Sequence, residues 1–321
     1  MKSSNIGGQA VLEGIMMKNR ETYSVAVRKP DGEIEVDIQE YKGVLPWKAP
    51  QKIPFIRGIF NFVDSLVLGM KTLTFSASFF EEEEEELLTE AEAKKREKNE
   101  KIMMNLTVVL SVIIAAGLFM VLPYYLSGLV KHYTDSRMVM TVCEGLIRVG
   151  LFLLYIALIS RMKDIQRTFM YHGAEHKCIN CIEHGLELNV ENVRKSSRQH
   201  KRCGTSFLFL VMLVSICLHF AFVLVPVYWV RLFGRLLMVP VVSGISFEII
   251  QWAGRTDTKF ADMMSKPGLA MQKLTTKEPT ADMVEVAIKA VEAVFDWKDY
   301  LKREFDWVDP EENNGEEHAD I

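Results

Sequence analysis

The sequence predicts an α-helical polytopic membrane protein with four transmembrane helices, a small cytosolic β-rich N-terminal unit and a cytosolic helical C-terminal segment. Four long apolar runs follow residue 101, and polar and apolar side chains alternate near the N-terminus. Hydrophobic residues make up 49% of the 321-residue chain and charged residues 25%, in separate blocks. This segregation is typical of a membrane protein with cytosolic parts.

Residues 1–52 are predicted to form the β-rich unit. Alternation over residues 33–38, after a turn signal at Pro30-Asp-Gly32, predicts a hairpin with one face buried. Residues 7–17 are rich in glycine, which permits close approach of the backbone, and they hold Glu13 among apolar neighbours. No cleavable signal peptide is expected, because the first eight residues have no apolar core.

Residues 53–80 are predicted to form an amphipathic helix that lies on the cytosolic membrane face or packs under the helical bundle. Insertion as a fifth span is disfavoured, because Asp64 and Lys71 would be costly in lipid. Residues 81–101 begin with six glutamates and are predicted to form a solvated, charged linker.

The membrane domain is predicted to cover residues 102–253. Its four predicted spans are residues 102–122, 138–160, 204–227 and 232–253. At about 1.5 Å per residue, the first span covers about 30 Å, the thickness of the hydrocarbon core. Glu144 and Arg148 stand one helical turn apart in the second span, which predicts an ion pair inside the bundle.

Basic residues are distributed unevenly between the loops. Residues 161–202 carry nine of them and residues 131–137 carry two. The positive-inside rule therefore predicts a multi-pass protein of the cytoplasmic membrane, with both termini and the loop of residues 161–203 in the cytosol. The net charge of −4 gives no reason to expect nucleic acid as a partner.

The C-terminal segment, residues 254–308, is predicted to be cytosolic and helical. Residues 280–295 have the pattern of an amphipathic helix with Thr280 as its N-cap. Residues 309–321 form an acidic tail that we expect to be disordered.

Histidine and cysteine gather in the polar segment between the second and third spans. Four of the seven histidines and three of the five cysteines fall between His172 and Cys203. His172, Glu175 and His176 form an H-x-x-E-H pattern, which on a helix places both imidazoles on one face. That arrangement suits two ligands of a divalent metal such as zinc, with Glu175 as a general base on a metal-bound water.

The third protein ligand is predicted to be Glu248, because the fourth span would return this carboxylate to the inner membrane interface. His200 and Cys203, at the start of the third span, are the substitutes if Glu248 is out of reach. A simple ion pair of Glu248 with a loop arginine or lysine is the alternative.

Two other interpretations of the cluster stay open. Cys178, Cys181, His200 and Cys203 could close a structural zinc site with four protein ligands. Alternatively, the cluster binds no metal and its polar residues pack under the membrane.

Five segments carry a resemblance to a known family. They are GGQAVLEGIMM at residues 7–17, EGLIR at 144–148, YHGAEHK at 171–177, RCGTS at 202–206 and LTTKEP at 274–279. Together they resemble the YqhQ-type bacterial membrane proteins over nearly the whole chain. The resemblance implies a four-span membrane protein, described as a predicted metal-dependent enzyme. The chain departs from the family pattern at two positions. It has Lys201 where the pattern has a proline, and it has Cys178 where the family does not usually have cysteine.

Three functions fit these features. The first is a metal-dependent hydrolase acting on a peptide or lipid-like substrate at the bilayer. The second is a non-catalytic scaffold for a membrane-protein partner, with a structural His/Cys cluster. The third is a small transporter, indicated by Glu144, Arg148 and Glu248, which would have to form a homo-oligomer to build a pathway. The sequence leaves open whether the protein is an enzyme.

Overall fold

The computed structural model describes residues 2–44, 53–80, 90–222, 225, 227–256 and 258–308. Internal contacts divide the chain into two units. Unit 1 comprises Met1–Phe80, Leu158–Val211 and Val239–Ile321, and unit 2 comprises Glu81–Ala157 and Met212–Met238. The predicted tail, residues 309–321, lies outside the described residues.

Unit 1 begins with a four-stranded antiparallel sheet in which sequential strands are neighbours. Its strands are β1 (Gly7–Val11), β2 (Gly14–Asn19), β3 (Thr22–Arg28) and β4 (Ile34–Glu40). The predicted hairpin is confirmed as β3 and β4, with Gly32 at φ 91° in its turn. The sequence did not predict β1 and β2, whose apolar residues do not alternate with polar ones.

The middle strands β2 and β3 are buried on both faces, which corrects the prediction of one buried face, whereas β4 keeps exposed positions such as Ile38 at 53%. Ile15 and Met17 of β2 enter one hydrophobic cluster, and Met16 between them enters another. A strand buried on both faces reads as a continuous apolar run, because successive side chains point to opposite sides.

Twelve α-helices are described along the chain. In chain order they are α1 (Ile56–Ala77), α2 (Glu90–Ala116), α3 (Leu122–Gly128), α4 (Arg137–Ile159), α5 (Lys163–Glu183), α6 (Val190–Lys195), α7 (Gly204–His219), α8 (Tyr228–Leu237), α9 (Val239–Arg255), α10 (Lys259–Thr275), α11 (Ala281–Glu292) and α12 (Trp297–Phe305).

The core of unit 1 forms where α5 and α11 pack on the sheet. Tyr171, Ala174 and Cys178 of α5 recur at helical spacing and are fully buried, as are Val284 and Val291 of α11. The predicted helix of the C-terminal segment is therefore present as α11, with Thr280 at its N-cap position.

Two helices of the described residues have the length and composition to cross a membrane. They cover Ile102–His132 and Arg137–Ile159. The first starts within α2 and continues through a π-helical turn, Gly117–Val121, into α3. These two helices suggest association with a membrane.

The third and fourth predicted spans are not confirmed as membrane-length helices. The apolar helix α7 has 16 residues, and three residues of the predicted span (223, 224 and 226) lie outside the described residues. The fourth predicted span is divided at Met238 between α8 and α9. Pro240 stands at the start of α9, where its missing N–H is tolerated.

The predicted linker is only partly described. Residues 81–89 lie outside the described residues, and residues 90–101 form the first turns of α2.

The ion pair predicted in the second span is present within unit 2. Nη2 of Arg148 donates a hydrogen bond of 2.9 Å to Glu144 one turn earlier, and both side chains are buried. Nη1 of Arg148 also lies 3.2 Å from Ser215 and 3.1 Å from His219 of α7.

Candidate metal centre

The H-x-x-E-H pattern lies within α5, as the helical interpretation requires. The rings of His172 and His176 lie one turn apart and meet edge to face, with centroids 4.4 Å from each other and planes inclined at 64°. His176 is buried, while His172 keeps partial exposure. Gly173 lets the backbone at Lys277 pass close to α5, because a Cβ atom at residue 173 would collide with the carbonyl oxygen of Lys277.

Cys203 completes a group of three donors with these histidines. One ligand atom from each of His172, His176 and Cys203 lies within 4.8 Å of the others, the one such group in the part of the chain that the structure describes. Nε2 of His172 is 3.2 Å from the Sγ atom. Cys203 immediately precedes α7, and the backbone N–H of Thr205 donates to its sulfur at 3.4 Å.

Both imidazoles are oriented by backbone carbonyls. Nδ1 of His172 is 2.9 Å from the oxygen of Thr275, and Nδ1 of His176 is 2.7 Å from the oxygen of Arg198. A carbonyl oxygen can only accept, so the hydrogen bonds assign the ring proton to Nδ1 in both residues. Nε2 of each ring is the atom that a metal ion would bind in place of a proton, which is the usual arrangement of metal-binding histidines.

The cluster favours a charged sulfur. Burial alone would raise the pKa of the Cys203 thiol, but the neighbouring His172 and His176 outweigh it and hold that pKa well below its usual value. Burial likewise opposes the charged form of His172, and the sulfur overcomes it to raise the pKa of His172 to about 9. A thiolate beside two imidazole nitrogens is a donor set of the kind that binds zinc.

Glu175 stands beside this group and is held by the sheet. The backbone N–H of Gly8 donates to Oε1 at 3.1 Å. Oε2 is buried and has no hydrogen-bond partner among the described residues. Burial is the main cause that raises the pKa of this carboxyl. The carboxylate therefore keeps one oxygen fixed and the other available to a group entering the site.

Glu248 is not brought to the cluster, which corrects its prediction as a ligand. Its carboxylate accepts hydrogen bonds from Nε of Arg57 at 2.7 Å and from the N–H of Phe55 at 3.1 Å. Glu248 thus forms an ion pair, as the alternative interpretation predicted, but its partner Arg57 is on α1 and not in the loop. The guanidinium already satisfies the charge of Glu248, so we remove this residue from the ligand set.

His200 belongs to a neighbouring ion-pair network. Its Nε2 lies 3.3 Å from Glu183, which also accepts from Arg202 and from the N–H of Ser4 at 2.8 Å. Burial raises the pKa of Glu183, but these partners outweigh it and lower that pKa to about 2. Burial, as the largest cause, lowers the pKa of His200.

The closed four-ligand site is not assembled in the described residues. Cys178 is buried in the hydrophobic cluster, and the sulfur of Cys181 lies 3.3 Å from the carbonyl oxygen of Glu187. Neither joins Cys203 in the donor group.

Sequence reasoning missed two contributors to the site. Gly8 supplies the hydrogen bond to Glu175. The consecutive glycines at residues 7 and 8 were the sequence feature that could have indicated this close backbone approach. The carbonyl of Thr275 orients His172, and only the fold places it there because 103 residues separate the two.

The fold and this site define a mostly helical protein with a small N-terminal sheet, two long apolar helices and a His/Cys donor group. The chain belongs to the family described as "Protein of unknown function (DUF1385)", whose model matches residues 53–297. It is 37% identical over 289 residues to "Uncharacterized protein YqhQ" of Bacillus subtilis (strain 168), covering 88% of this chain and 90% of that protein. No solved structure matches the chain.

Proposed function

We propose that the protein is a metal-dependent hydrolase that holds a divalent metal, zinc by preference, on His172, His176 and Cys203. The observation that carries the proposal is the convergence of these three donors within 4.8 Å. The hydrogen bonds of both Nδ1 atoms to carbonyls support it, because they leave Nε2 available for a metal. Two nitrogens and one sulfur are suitable zinc ligands, and three protein ligands leave a fourth position open.

Glu175 is the general base of this proposal. It lies one helical turn from His172 on α5, and the hydrogen bond from Gly8 holds one of its oxygens. Its second oxygen has no partner in the described part of the chain, so it can accept a proton from a water in the site. A metal ion would supply Lewis acidity and lower the pKa of such a water.

The proposed setting is the cytosolic face of the cytoplasmic membrane, with both termini in the cytosol. The asymmetry of basic residues between the loops and the two long apolar helices support it. A peptide or lipid-like substrate at the bilayer surface fits this setting.

The proposal is tested by the metal content of the full-length protein purified in mild detergent. We expect one metal ion per chain in the wild type and loss of metal in His176→Ala and Cys203→Ser. Cobalt substitution should give a sulfur-to-cobalt charge-transfer band that Cys203→Ser abolishes. Glu175→Gln should keep the metal, because its carboxylate is not a ligand.

His184→Ala and Cys181→Ser are the matched controls. His184 is exposed at the end of the same helix, and Cys181 is buried on α5 outside the donor group. Both variants should retain metal. Absence of metal binding in the wild type, or equal loss in the controls, would contradict the proposal.

The non-catalytic alternative is supported by the burial of His176 and Cys203, which are 1% and 6% exposed. A structural site would have no open position. Addition of a small anion such as azide to the cobalt-loaded protein separates the two functions. A spectral change indicates an open position, and its absence favours a structural site.

A further inference from the structure

One face of α1 carries a row of exposed, large apolar side chains, here called the apolar stripe. They are Ile56, Val63, Leu66, Val67, Met70 and Leu73, each between 38% and 54% exposed. Spacings of three, four and seven residues place them on a single side of the helix.

The opposite face of α1 is buried and consists mainly of small residues. They include Gly58, Gly69 and Ser76. A Cβ atom at Gly58 would lie 2.6 Å from the side chain of Phe247 in α9, and one at Gly69 would lie 2.5 Å from that of Gln9 in β1. Helix α1 thus turns small residues inward and large apolar residues outward, the reverse of an amphipathic helix in a water-soluble protein.

This reversed pattern is expected where lipid surrounds a helix. Between helices in a bilayer, small residues allow close backbone approach, while large apolar side chains face the acyl chains at no cost. In water, a contiguous apolar patch of this kind would instead drive association.

The three charged residues of α1 are all satisfied within unit 1. Arg57 pairs with Glu248, and Asp64 accepts a hydrogen bond of 2.6 Å from the N–H of Val44. Lys71 donates to Gln39 at 2.7 Å. Asp64 and Lys71 disfavoured insertion of this segment as a fifth span, and the protein partner of each reduces the cost of placing α1 against lipid.

The stripe adjoins other apolar surface of the same unit. The ring of Phe62 in α1 is 5.9 Å from that of Phe207 in the apolar helix α7. The next residue, Leu208, is 45% exposed. Apolar surface therefore extends from α1 to a helix that begins one residue after Cys203.

We propose that the apolar stripe of α1 contacts the acyl chains of a lipid bilayer. Unit 1, which carries the candidate metal centre, then docks on the membrane through α1 in addition to the long apolar helices of unit 2. This inference does not depend on metal binding or on catalysis.

The test uses an environment-sensitive fluorophore attached to the full-length protein in phosphatidylcholine vesicles. Cys143 and Cys217 are replaced by alanine, which leaves the buried Cys178, Cys181 and Cys203. Leu66→Cys then provides the labelling site. We expect blue-shifted emission and strong quenching when the vesicles contain lipids brominated on their acyl chains.

Ile38→Cys is the matched control. Ile38 of β4 is 53% exposed, against 54% for Leu66, and it pairs with Ser24 of β3, whose side chain contacts α11. Its probe should be quenched by aqueous iodide and not by brominated lipid. Val67→Cys gives an independent measurement if Leu66→Cys does not fold.

Two results would overturn the proposal. One is quenching by brominated lipid that is no greater at residues 66 and 67 than at residue 38. The other is efficient disulfide formation between two copies of Leu66→Cys in vesicles, which would assign the stripe to a homo-oligomeric interface.

Discussion

The backbone N–H of Gly8 donates a hydrogen bond of 3.1 Å to Oε1 of Glu175, across 167 residues of sequence. This contact makes the N-terminal sheet part of the candidate metal centre. A Cβ atom at Gly8 would lie 2.5 Å from the carbonyl oxygen of Met16 and 3.1 Å from the carboxyl carbon of Glu175. Glycine is therefore required where β1 passes Glu175.

We expect Gly8→Ala to lower the free energy of unfolding by about 1–3 kcal/mol, because β1 must shift away from Met16 and Glu175. Gly7→Ala is the control, since nothing lies within 4 Å of its Cβ position. Thermal unfolding in detergent measures both variants. Equal unfolding temperatures would show that Gly8 tolerates a side chain.

Gly173→Ala is expected to destabilise unit 1 and to weaken metal binding together. The new methyl group would displace the backbone at Lys277, two residues from the carbonyl of Thr275 that orients His172. Gly150→Ala is the control, because its Cβ position on α4 is open. The control should be neutral or stabilising by up to about 1 kcal/mol, owing to the higher helix propensity of alanine. Unfolding temperature and metal content are measured in parallel. Unchanged metal content in Gly173→Ala would show that the contact between Gly173 and Lys277 does not support the metal centre.

Glu248→Ala is expected to lower stability by about 1–3 kcal/mol, because it leaves the charge of Arg57 without its carboxylate. Metal content should stay at the wild-type level. A double-mutant cycle with Arg57→Ala measures the coupling between the two side chains. Loss of metal in Glu248→Ala would return this carboxylate to the ligand set.

The Glu183 network predicts a dependence of stability on pH. The pKa of Glu183 is about 2 in the folded protein, against an ordinary value of 4.5. The carboxylate of Glu183 therefore binds a proton more weakly in the folded state than in the unfolded state. The stabilisation is therefore fully present above about pH 4.5 and is lost as the pH falls towards 2, an effect on the order of 3 kcal/mol.

Glu183→Gln should therefore unfold more readily at pH 7 and approach the wild type below about pH 3. Glu191→Gln is the control, because its ion pair with Lys195 is on the surface, with side chains 76% and 69% exposed. Unfolding temperatures measured between pH 7 and pH 3 test the prediction. A constant difference between Glu183→Gln and the wild type across this range would contradict it.

The sequence by itself determined the local features of this protein. Helical spacing predicted that His172 and His176 share a face, and the turn at Gly32 predicted the β3–β4 hairpin. The i, i+4 spacing of Glu144 and Arg148 likewise predicted their ion pair. Each depends on residues a few positions apart, whose geometry is fixed by the period of the helix or strand. The five sequence motifs between residues 7 and 279 also indicated the family.

Only the tertiary structure decided which distant residues meet. Cys203, and not Glu248, joins the two histidines, because α7 begins beside α5 while Arg57 of α1 takes the carboxylate of Glu248. Two of the four predicted spans are membrane-length helices in the described residues, and hydropathy does not reveal the break between α8 and α9 at Met238. Contacts across 31 to 191 residues depend on how whole elements pack, and no periodicity in the sequence encodes that packing.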